Sequence, residues 1–424
     1  MAPKREGLAQ RRKARGLTQE ALADKLGVGR YTVQRWEAGL TEPQPWLRPR
    51  LAKELDVSCE RLDYLLSGGE TDDVDLAPVR VCGHDQPESD EMRRRELLRL
   101  FSTVGTLAAL PAVDPDRTAY AAEHPSHLDL ATLDEYTQLN GQLWQTFLLA
   151  PSKGDAMPLV RHQLDILCTG LKHQQDDIVR QRLLALTADL LQLAGEIYFD
   201  ANAYTDAAHS YTLAADASKT AQDYDLWACA MVRHSFVALY DRQFADAAPM
   251  LDLAAAVAER GDRSLSTRHW VSVVHAHAFA GLGDHAACER ALDQAEQVRQ
   301  LDGTVHNGGW LRFDGARLAE ERGACYVTLG RHDLAETVLN DALTHRLTTR
   351  RRATVLTDLA MIGVHRRDPD KVATYAQTAL NLARRTRSGV IARKLQALQP
   401  KLAPLLADKQ VHKIHTEIAE LATV

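Results

Sequence analysis

Long apolar runs, paired cysteines and the glycine- or histidine-rich signatures of common catalytic folds are all missing from this 424-residue chain. No stretch approaches the roughly 20 apolar residues that a membrane-spanning helix requires, so no membrane partner is expected. The six cysteines, Cys59, Cys82, Cys168, Cys229, Cys288 and Cys325, stand apart with no CxxC spacing. That distribution speaks for free thiols in a reducing, cytoplasmic compartment and against a disulfide framework or a structural zinc. There is no GxGxxG, no Walker phosphate loop, no HExxH and no GxSxG, so neither a cofactor nor enzyme chemistry is expected. The 17 histidines are dispersed, and His275 and His277 fall on different faces of a helix, a poor arrangement for one metal. An excess of positive charge is lacking too: 51 Lys/Arg against 57 Asp/Glu give a net charge of -6. The molecule is no polycation, and any nucleic-acid surface has to be local.

What is present is unevenly placed. Residues 1–67 carry 13 Lys/Arg against 9 Asp/Glu, a balance of +4, whereas residues 70–91 carry 8 acidic residues against Arg80 alone. The length suggests two or three folding units, and 45% hydrophobic with 25% charged residues is ordinary for globular domains. Residues 5–66 read as five short helices. Leu8 with Arg11, Arg12 and Lys13 makes an amphipathic first helix that Gly16 stops, and Thr18 N-caps the second. The second runs to Lys25, and the third spans Arg30 to Ala38 and is stopped by Gly39. Pro43 and Pro45 punctuate the way to the fourth, and Ser58 caps the fifth. Residues 68–91, acidic and without periodicity, read as a solvated linker. The arginine cluster and apolar middle of RRRELLRLFSTVGTLAALPA, residues 93–112, imitate a twin-arginine export signal. Its place behind a folded domain makes it a packing helix instead.

Within LTQEALADKLGVGRYTVQRWEAG, residues 17–39, the needs of a helix-turn-helix are met. A small residue, Ala23, lets the second helix cross the first steeply, Gly27 serves the tight turn, and Val33 and Trp36 form the inner face of the second helix. Leu22, Leu26 and Val28 complete that core. The segment resembles the phage-repressor, or Xre, type of helix-turn-helix on the strings LTQEALADKLGV and YTVQRWEAG. The resemblance implies a five-helix lambda-repressor-like domain over residues 1–67 that binds double-stranded DNA. Helix geometry puts Arg30, Tyr31, Gln34 and Arg35 on the outer side of the third helix, where a groove-bound helix presents base-reading side chains. Arginine can pair twice with guanine, Gln34 could read adenine, and Tyr31 could touch a thymine methyl or a phosphate. Thr32, at the edge of that face, is expected at a phosphate. Gln19 matches the family position that clamps a phosphate, aided by its helix N-terminus. The family also pairs an arginine of helix one with a glutamate after the reading helix, positions held here by Arg12 and Glu37. Arg11, Lys13 and Arg15 are expected to be solvated or near the DNA backbone. A head of this size makes few phosphate contacts, so useful specificity implies a homodimer on a palindromic operator.

From Met92 on, the periodicity is helical throughout, and five helix-turn-helix windows repeat. They carry Gly195, Tyr198, Tyr204, Ala207, Tyr211 and Ala214; Ala238, Phe244, Ala247, Leu251 and Ala254; Ala276, Gly283, Cys288, Leu292 and Ala295; Gly323, Tyr326, Gly330, Ala335, Leu339 and Ala342; and Val372, Ala376 and Ala379. The key small residue recurs at spacings of 40, 41, 47 and 37. This resembles the tetratricopeptide repeat, which implies an all-α chain whose residues 92–424 form an α-solenoid of tetratricopeptide-like repeats. Residues 128–180 supply a degenerate leading repeat, and those after 389 a cap. The alternative is an irregular bundle of alanine-rich helix pairs. On the solenoid reading, the concave lining includes Gln192, Glu196, Phe236, Tyr240, Trp270, His277, Arg317, Glu320 and Met361, a mixture suited to an extended peptide. In HNGGWLRFDGARLAEERG, residues 306–323, Trp310 and Phe313 are expected to anchor the following helix by packing.

The whole layout resembles actinobacterial regulators with an Xre head and a repeat domain and, more distantly, the peptide-pheromone receptors of Gram-positive bacteria. It implies a cytoplasmic transcription factor whose repeat domain dimerises and senses a peptide, small molecule or protein effector. Ligand closure of the solenoid would then alter the fit of two heads to their half-sites. The rival function is an interaction scaffold with a weak or vestigial DNA-binding head.

Overall fold

A computed structural model describes residues 5–15, 17–26, 28–41, 43, 47–55, 57, 62, 65–66 and 114–421. Those residues form helices and connecting turns, with no strand among them. The chain divides into two compact units, residues 1–82 and 83–424. The linker at 68–91 and the segment at 93–112 lie outside the described residues, as do Gly16, Gly27, Pro45 and Ser58.

In the first unit, α1 (Glu6–Ala14), α2 (Gln19–Leu26), α3 (Arg30–Glu37) and α4 (Arg48–Leu55) surround one core. Thr18 Oγ1 accepts the N–H of Ala21 at 3.0 Å, which satisfies one orphan donor of α2. Gly39 ends α3 at φ +72°, a left-handed backbone that a side chain would oppose. Leu8, Leu22, Ala23, Leu26, Val33, Trp36, Leu51 and Leu55 are buried together, and helical Leu62, Leu65 and Leu66 join them from the predicted fifth helix. Leu22, Ala23 and Leu26 are the buried face of α2, and Val33 and Trp36 that of α3, so these two helices dock through apolar faces.

The second unit begins with α5 (Pro115–Glu123) and continues as helix hairpins. They are α6 (Leu130–Leu149) with α7 (Met157–Lys172), α8 (Asp177–Asp200) with α9 (Tyr204–Thr220), and α10 (Tyr224–Tyr240) with α11 (Phe244–Ala258). Then follow α12 (Thr267–Leu282) with α13 (His285–Glu296), α14 (Gly315–Thr328) with α15 (His332–Thr344), α16 (Thr349–His365) with α17 (Pro369–Thr386), and α18 (Gly389–Leu398) with α19 (Lys409–Leu421). The five hairpins from α8 to α17 coincide with the five windows read in the sequence. In each odd-numbered helix from α9 to α17 the expected stripe is buried: Ala207, Tyr211 and Ala214; Ala247, Leu251 and Ala254; Cys288, Leu292 and Ala295; Ala335, Leu339 and Ala342; Val372, Ala376 and Ala379.

Small residues mark the closest approaches. A Cβ at Gly195 would stand 2.3 Å from the Tyr211 ring, and one at Gly323 would stand 2.4 Å from Leu339. In the third and fourth windows Gly283 and Gly330 have nothing near their Cβ positions and take a left-handed backbone, while Gly281 receives the ring of Phe244.

Every turn within these five hairpins uses one backbone device. A residue of positive φ, namely Asn202, Arg242, Gly283, Gly330 or Arg367, turns the chain. The following N–H then reaches back five residues: Ala203 to Tyr198, Gln243 to Ala238, Asp284 to Phe279, Arg331 to Tyr326 and Asp368 to Gly363, each at 2.9 Å. The even-numbered helices pack on one another in series from α6 to α18, the arrangement of a tetratricopeptide-like solenoid. The series then turns back on itself, because α18 also packs on α8. Gly389 makes that return possible, since a Cβ there would lie 2.4 Å from the carbonyl oxygen of Asp200. The 47-residue spacing between the third and fourth repeats arises from an inserted strap, residues 301–314, between α13 and α14.

Candidate nucleic-acid interface and inner-wall charge cluster

With Val33 and Trp36 buried, the 100° step of a helix turns Arg30, Tyr31, Gln34 and Arg35 outward, and all four are exposed, Tyr31 at 80%. None of the four side chains has a hydrogen-bond or ion-pair partner among the described residues. Thr32 is half-buried at the edge of the same face.

Other basic side chains of the unit are engaged internally. Arg12 meets Glu37 with Nε 2.6 Å from Oε1 and Nη2 3.2 Å from Oε2, both groups nearly buried, and donates to the carbonyl of Leu17 at 2.7 Å. Gln19 Nε2 donates to the second oxygen of Glu37 at 2.6 Å, so one carboxylate ties α1 and α2 to the end of α3. Arg5, buried, donates to the carbonyls of Trp36 and Thr41 and holds the same end. Arg11, expected in solvent or near DNA, instead donates to the carbonyl of Leu55 at 2.9 Å and so caps α4. Neither role has a signature in the sequence, since the acceptors are backbone carbonyls from distant positions.

In the second unit, the residues expected to line a groove are not brought together as one surface. Gln192 is fully buried, donates to the carbonyl of Leu226 and accepts from Arg233. Trp270 is also buried, beneath Arg233 and Arg317. Glu320 is buried and paired with Arg351. Phe236 and Tyr240 pack with Phe199 and Tyr204 where Val390 of α18 returns to α8, so they serve that closure. Met361 packs against the C-terminal core. His277 and Arg317 share Glu321, at 2.9 and 3.1 Å. His275, by contrast, stacks on Phe279 and faces Asp252.

Glu196 sits at a convergence to which Gln192, Trp270 and Arg317 also belong through Arg233. Arg233 Nε (3.5 Å), Arg312 Nη2 (3.3 Å) and Arg350 Nη2 (3.2 Å) all approach its carboxylate. Arg350 also reaches Asp200 at 3.4 Å. These arginines interleave with aromatic rings. Arg350 and Arg312 flank Phe147 at 5.9 and 5.8 Å, Arg312 and Arg233 flank Trp144 at 4.7 and 5.5 Å, and Arg233 and Arg317 flank Trp270 at 4.7 and 5.5 Å.

The strap delivers Arg312 to this place. Ser266 ties both its ends, donating its N–H to Val305 and its hydroxyl to Phe313, while Leu311 and Phe313 are fully buried and Trp310 offers its carbonyl to Arg233 at 2.6 Å. Phe313 and Trp310, expected to anchor the following helix by packing, pack into the core and hold the strap that leads into it.

Burial opposes ionisation of Glu196, but the charges of Arg350, Arg233, Arg312 and Arg317 outweigh it and hold its carboxyl at about 2. The same crowding acts on the cations. Burial, opposed by Glu196 and reinforced by the other arginines, brings Arg312 down to about 9, and burial with Arg350 nearby brings Lys153 to about 8. Asp189, buried and accepting from Trp144 Nε1 (2.6 Å) and Asn140 (2.9 Å), is pushed up to about 6 by burial. Arg233 could have been suspected from the sequence, as a lone cation in the apolar run WACAMVRHSFVALY. Arg312 and Arg350 could not.

Comparison with known proteins assigns the first unit. Residues 8–62 match the helix-turn-helix family model. Over 69 residues the chain is 41% identical to an uncharacterized HTH-type transcriptional regulator, YqaE, of Bacillus subtilis (strain 168). That match takes in 16% of this chain, and the chain spans little more than half, 57%, of that relative's length. The amino-terminal unit is therefore a helix-turn-helix domain of the Xre type, and it precedes a helical repeat unit. Among solved structures, the chain is similar to a Rap protein complexed with competence and sporulation factor, with a TM-score of 0.43 and 14% identity over 78% of this chain and 96% of that one. It is also similar to a tetratricopeptide repeat protein from Parabacteroides merdae, with a TM-score of 0.39 and 14% identity over 71% and 98%. No described helix is long and apolar enough to cross a membrane.

Proposed function

We propose that the chain is a sequence-specific DNA-binding transcriptional regulator that acts as a homodimer on a palindromic operator and whose repeat unit senses an effector. One observation carries the DNA reading: four side chains able to read bases or phosphates stand exposed on α3, without partners among the described residues, over a buried Val33 and Trp36. Arg30 and Arg35 are assigned to guanine, Gln34 to adenine, and Tyr31 to a methyl group or phosphate. Thr32 and Gln19 are assigned to the backbone; Gln19 keeps a second N–H for a phosphate while the first holds Glu37. The name of the Bacillus subtilis relative, a transcriptional regulator, supports the same role. A dimer follows from the modest charge and few phosphate contacts of a single head.

The repeat unit would act as a sensor if an effector bound two of its states unequally and so shifted operator affinity. Its chemistry favours a charged effector over an apolar one, because arginines and carboxylates crowd where the even-numbered helices meet. Selection of genomic fragments by the purified protein tests specificity and half-site spacing together. Recovery of dyad-symmetric sites is expected, with binding that weakens as salt rises. Unselective recovery, unchanged by replacing both Arg30 and Arg35 with Ala, would favour the scaffold function and sink the DNA reading.

A further inference from the structure

The arginines around Glu196 have more donors than their neighbours can fill. A charge-assisted N–H to carboxylate bond is shortest near 2.7–2.9 Å. Arg12 with Glu37 reaches 2.6 Å in the first unit, yet the three contacts to Glu196 run from 3.2 to 3.5 Å. One carboxylate is stretched between three guanidinium groups, each with five N–H donors. Arg312 Nε is buried and finds no hydrogen-bond acceptor among the described residues, and buried Arg233 Nε has only the Glu196 carboxylate at 3.5 Å, outside hydrogen-bond geometry. A buried charged donor left without an acceptor is uncommon and costly, so it calls for a partner. Arg233 is 1% exposed, and its remaining nitrogens are engaged by Gln192 and Trp310, so it cannot swing out to water.

The charge balance points the same way. Arg233, Arg312, Arg317, Arg350 and Lys153 face Glu196, Asp200 and Glu321; of the other carboxylates nearby, Asp189 is committed to Trp144 and Asn140, Glu320 to Arg351 and Asp358 to Lys394. The place is not sealed, for the side chains of Glu196, Arg312, Arg317 and Arg350 keep 12 to 22% of their surface. A planar ring would have to compete for stacking, because Phe147, Trp144 and Trp270 each already have two guanidinium groups 4.7 to 5.9 Å from their centroids.

The geometry points to a receptor site for a phosphoryl dianion among Arg233, Arg312 and Arg350, with Glu196 as the resident counter-charge that the anion displaces. This deepens the sensor reading above by naming the effector's chemistry and rests on that reading for its regulatory consequence only. Arginine forks match phosphate as well as carboxylate, and the three oxygens of a phosphoryl group can accept from more of these donors than the two of one carboxylate.

The test is calorimetric titration of the full chain with inorganic phosphate, pyrophosphate and a phosphomonoester such as glycerol phosphate, with chloride adjusted to constant ionic strength. Saturable binding at one site per chain is expected. Arg312→Gln should weaken it at least tenfold; the strap remains anchored by Leu311 and Phe313, so the variant keeps its fold. Glu196→Gln should tighten binding severalfold, an effect of opposite sign that a purely structural cluster would not give. Tighter binding of the phosphomonoester than of the inorganic ions would identify a phosphorylated metabolite as the source. Tighter binding of the inorganic ions would identify free phosphate. No saturable heat with any of the three, or equal binding by wild type and Arg312→Gln, overturns the site. Operator affinity measured with and without phosphate is a separate readout. Binding that leaves it unchanged removes the sensing role but not the site, and loss of DNA binding by the head variants bears on neither.

Discussion

Arg30 and Arg35 differ from Arg5, Arg11 and Arg12 of the same unit in having no partner among the described residues. Replacing either with Ala should weaken operator binding by about 1–3 kcal/mol and relax preference at one base position, with the circular dichroism spectrum unchanged. Uniform weakening on all sequences would reassign that arginine to the phosphates. Glu37 behaves oppositely. Its removal strands a nearly buried Arg12 and releases Gln19, so Glu37→Ala should destabilise the head by about 3–5 kcal/mol, seen as a lower urea midpoint. A head that melts normally without this carboxylate would contradict the tie between α1, α2 and α3. Exposed and core positions of α3 were legible because one helical turn alternates their fates. Arg5 and Arg11 were not, since a side chain that caps a distant helix leaves no periodic trace.

Helices and turns carry their own expectations. A methyl group at Gly195 or Gly323 would overlap Tyr211 or Leu339, so Gly→Ala at either position should lower stability by about 1–3 kcal/mol despite the better helix propensity of alanine. At the hairpin turns the sign reverses. Arg242 and Arg367 hold φ +60° and +54° where two sister turns use glycine. Arg367→Gly is therefore expected to raise the thermal midpoint, by the equivalent of up to about 1 kcal/mol. A fall in midpoint would mean that the Arg367 side chain contributes more than its backbone strain.

The buried stripes of α9 to α17 could be read from the spacing of small residues, since crowding between helices selects alanine, glycine and cysteine whatever their distant partners. Lining residues could not, because register alone does not say whether a wall is open. Gln192 and Trp270 lie against Arg233, and Phe236 and Tyr240 pack beside Val390 of α18.

For the repeat unit as a whole, stability should depend on pH through two carboxylates of opposite sense. Glu196, held at about 2, stabilises the fold above its unfolded value of about 4.5, and that contribution of about 3 kcal/mol fades as pH falls from 4.5 toward 2. Asp189, raised from 3.8 to about 6, favours its neutral form, so its contribution is fullest below pH 4 and is lost as pH rises through 6. The gap in melting temperature between wild type and Glu196→Gln should narrow on acidification from pH 5 to 3. The gap for Asp189→Asn should shift in the variant's favour between pH 4 and 6.5. Parallel curves for either variant would mean that the carboxylate keeps the same affinity for protons folded and unfolded.

An open array can gain or lose a hairpin at its end and remain an array. Here the hydroxyl of Ser388 rests on Asp200, 188 positions earlier, beside a glycine with room for nothing larger than hydrogen. An added hairpin would carry that clasp past its catch, and a missing one would leave it short. The tally of repeats between α8 and α18 is thus a fitted dimension of this molecule, and a nascent chain must make α18 before α8 finds its final neighbour.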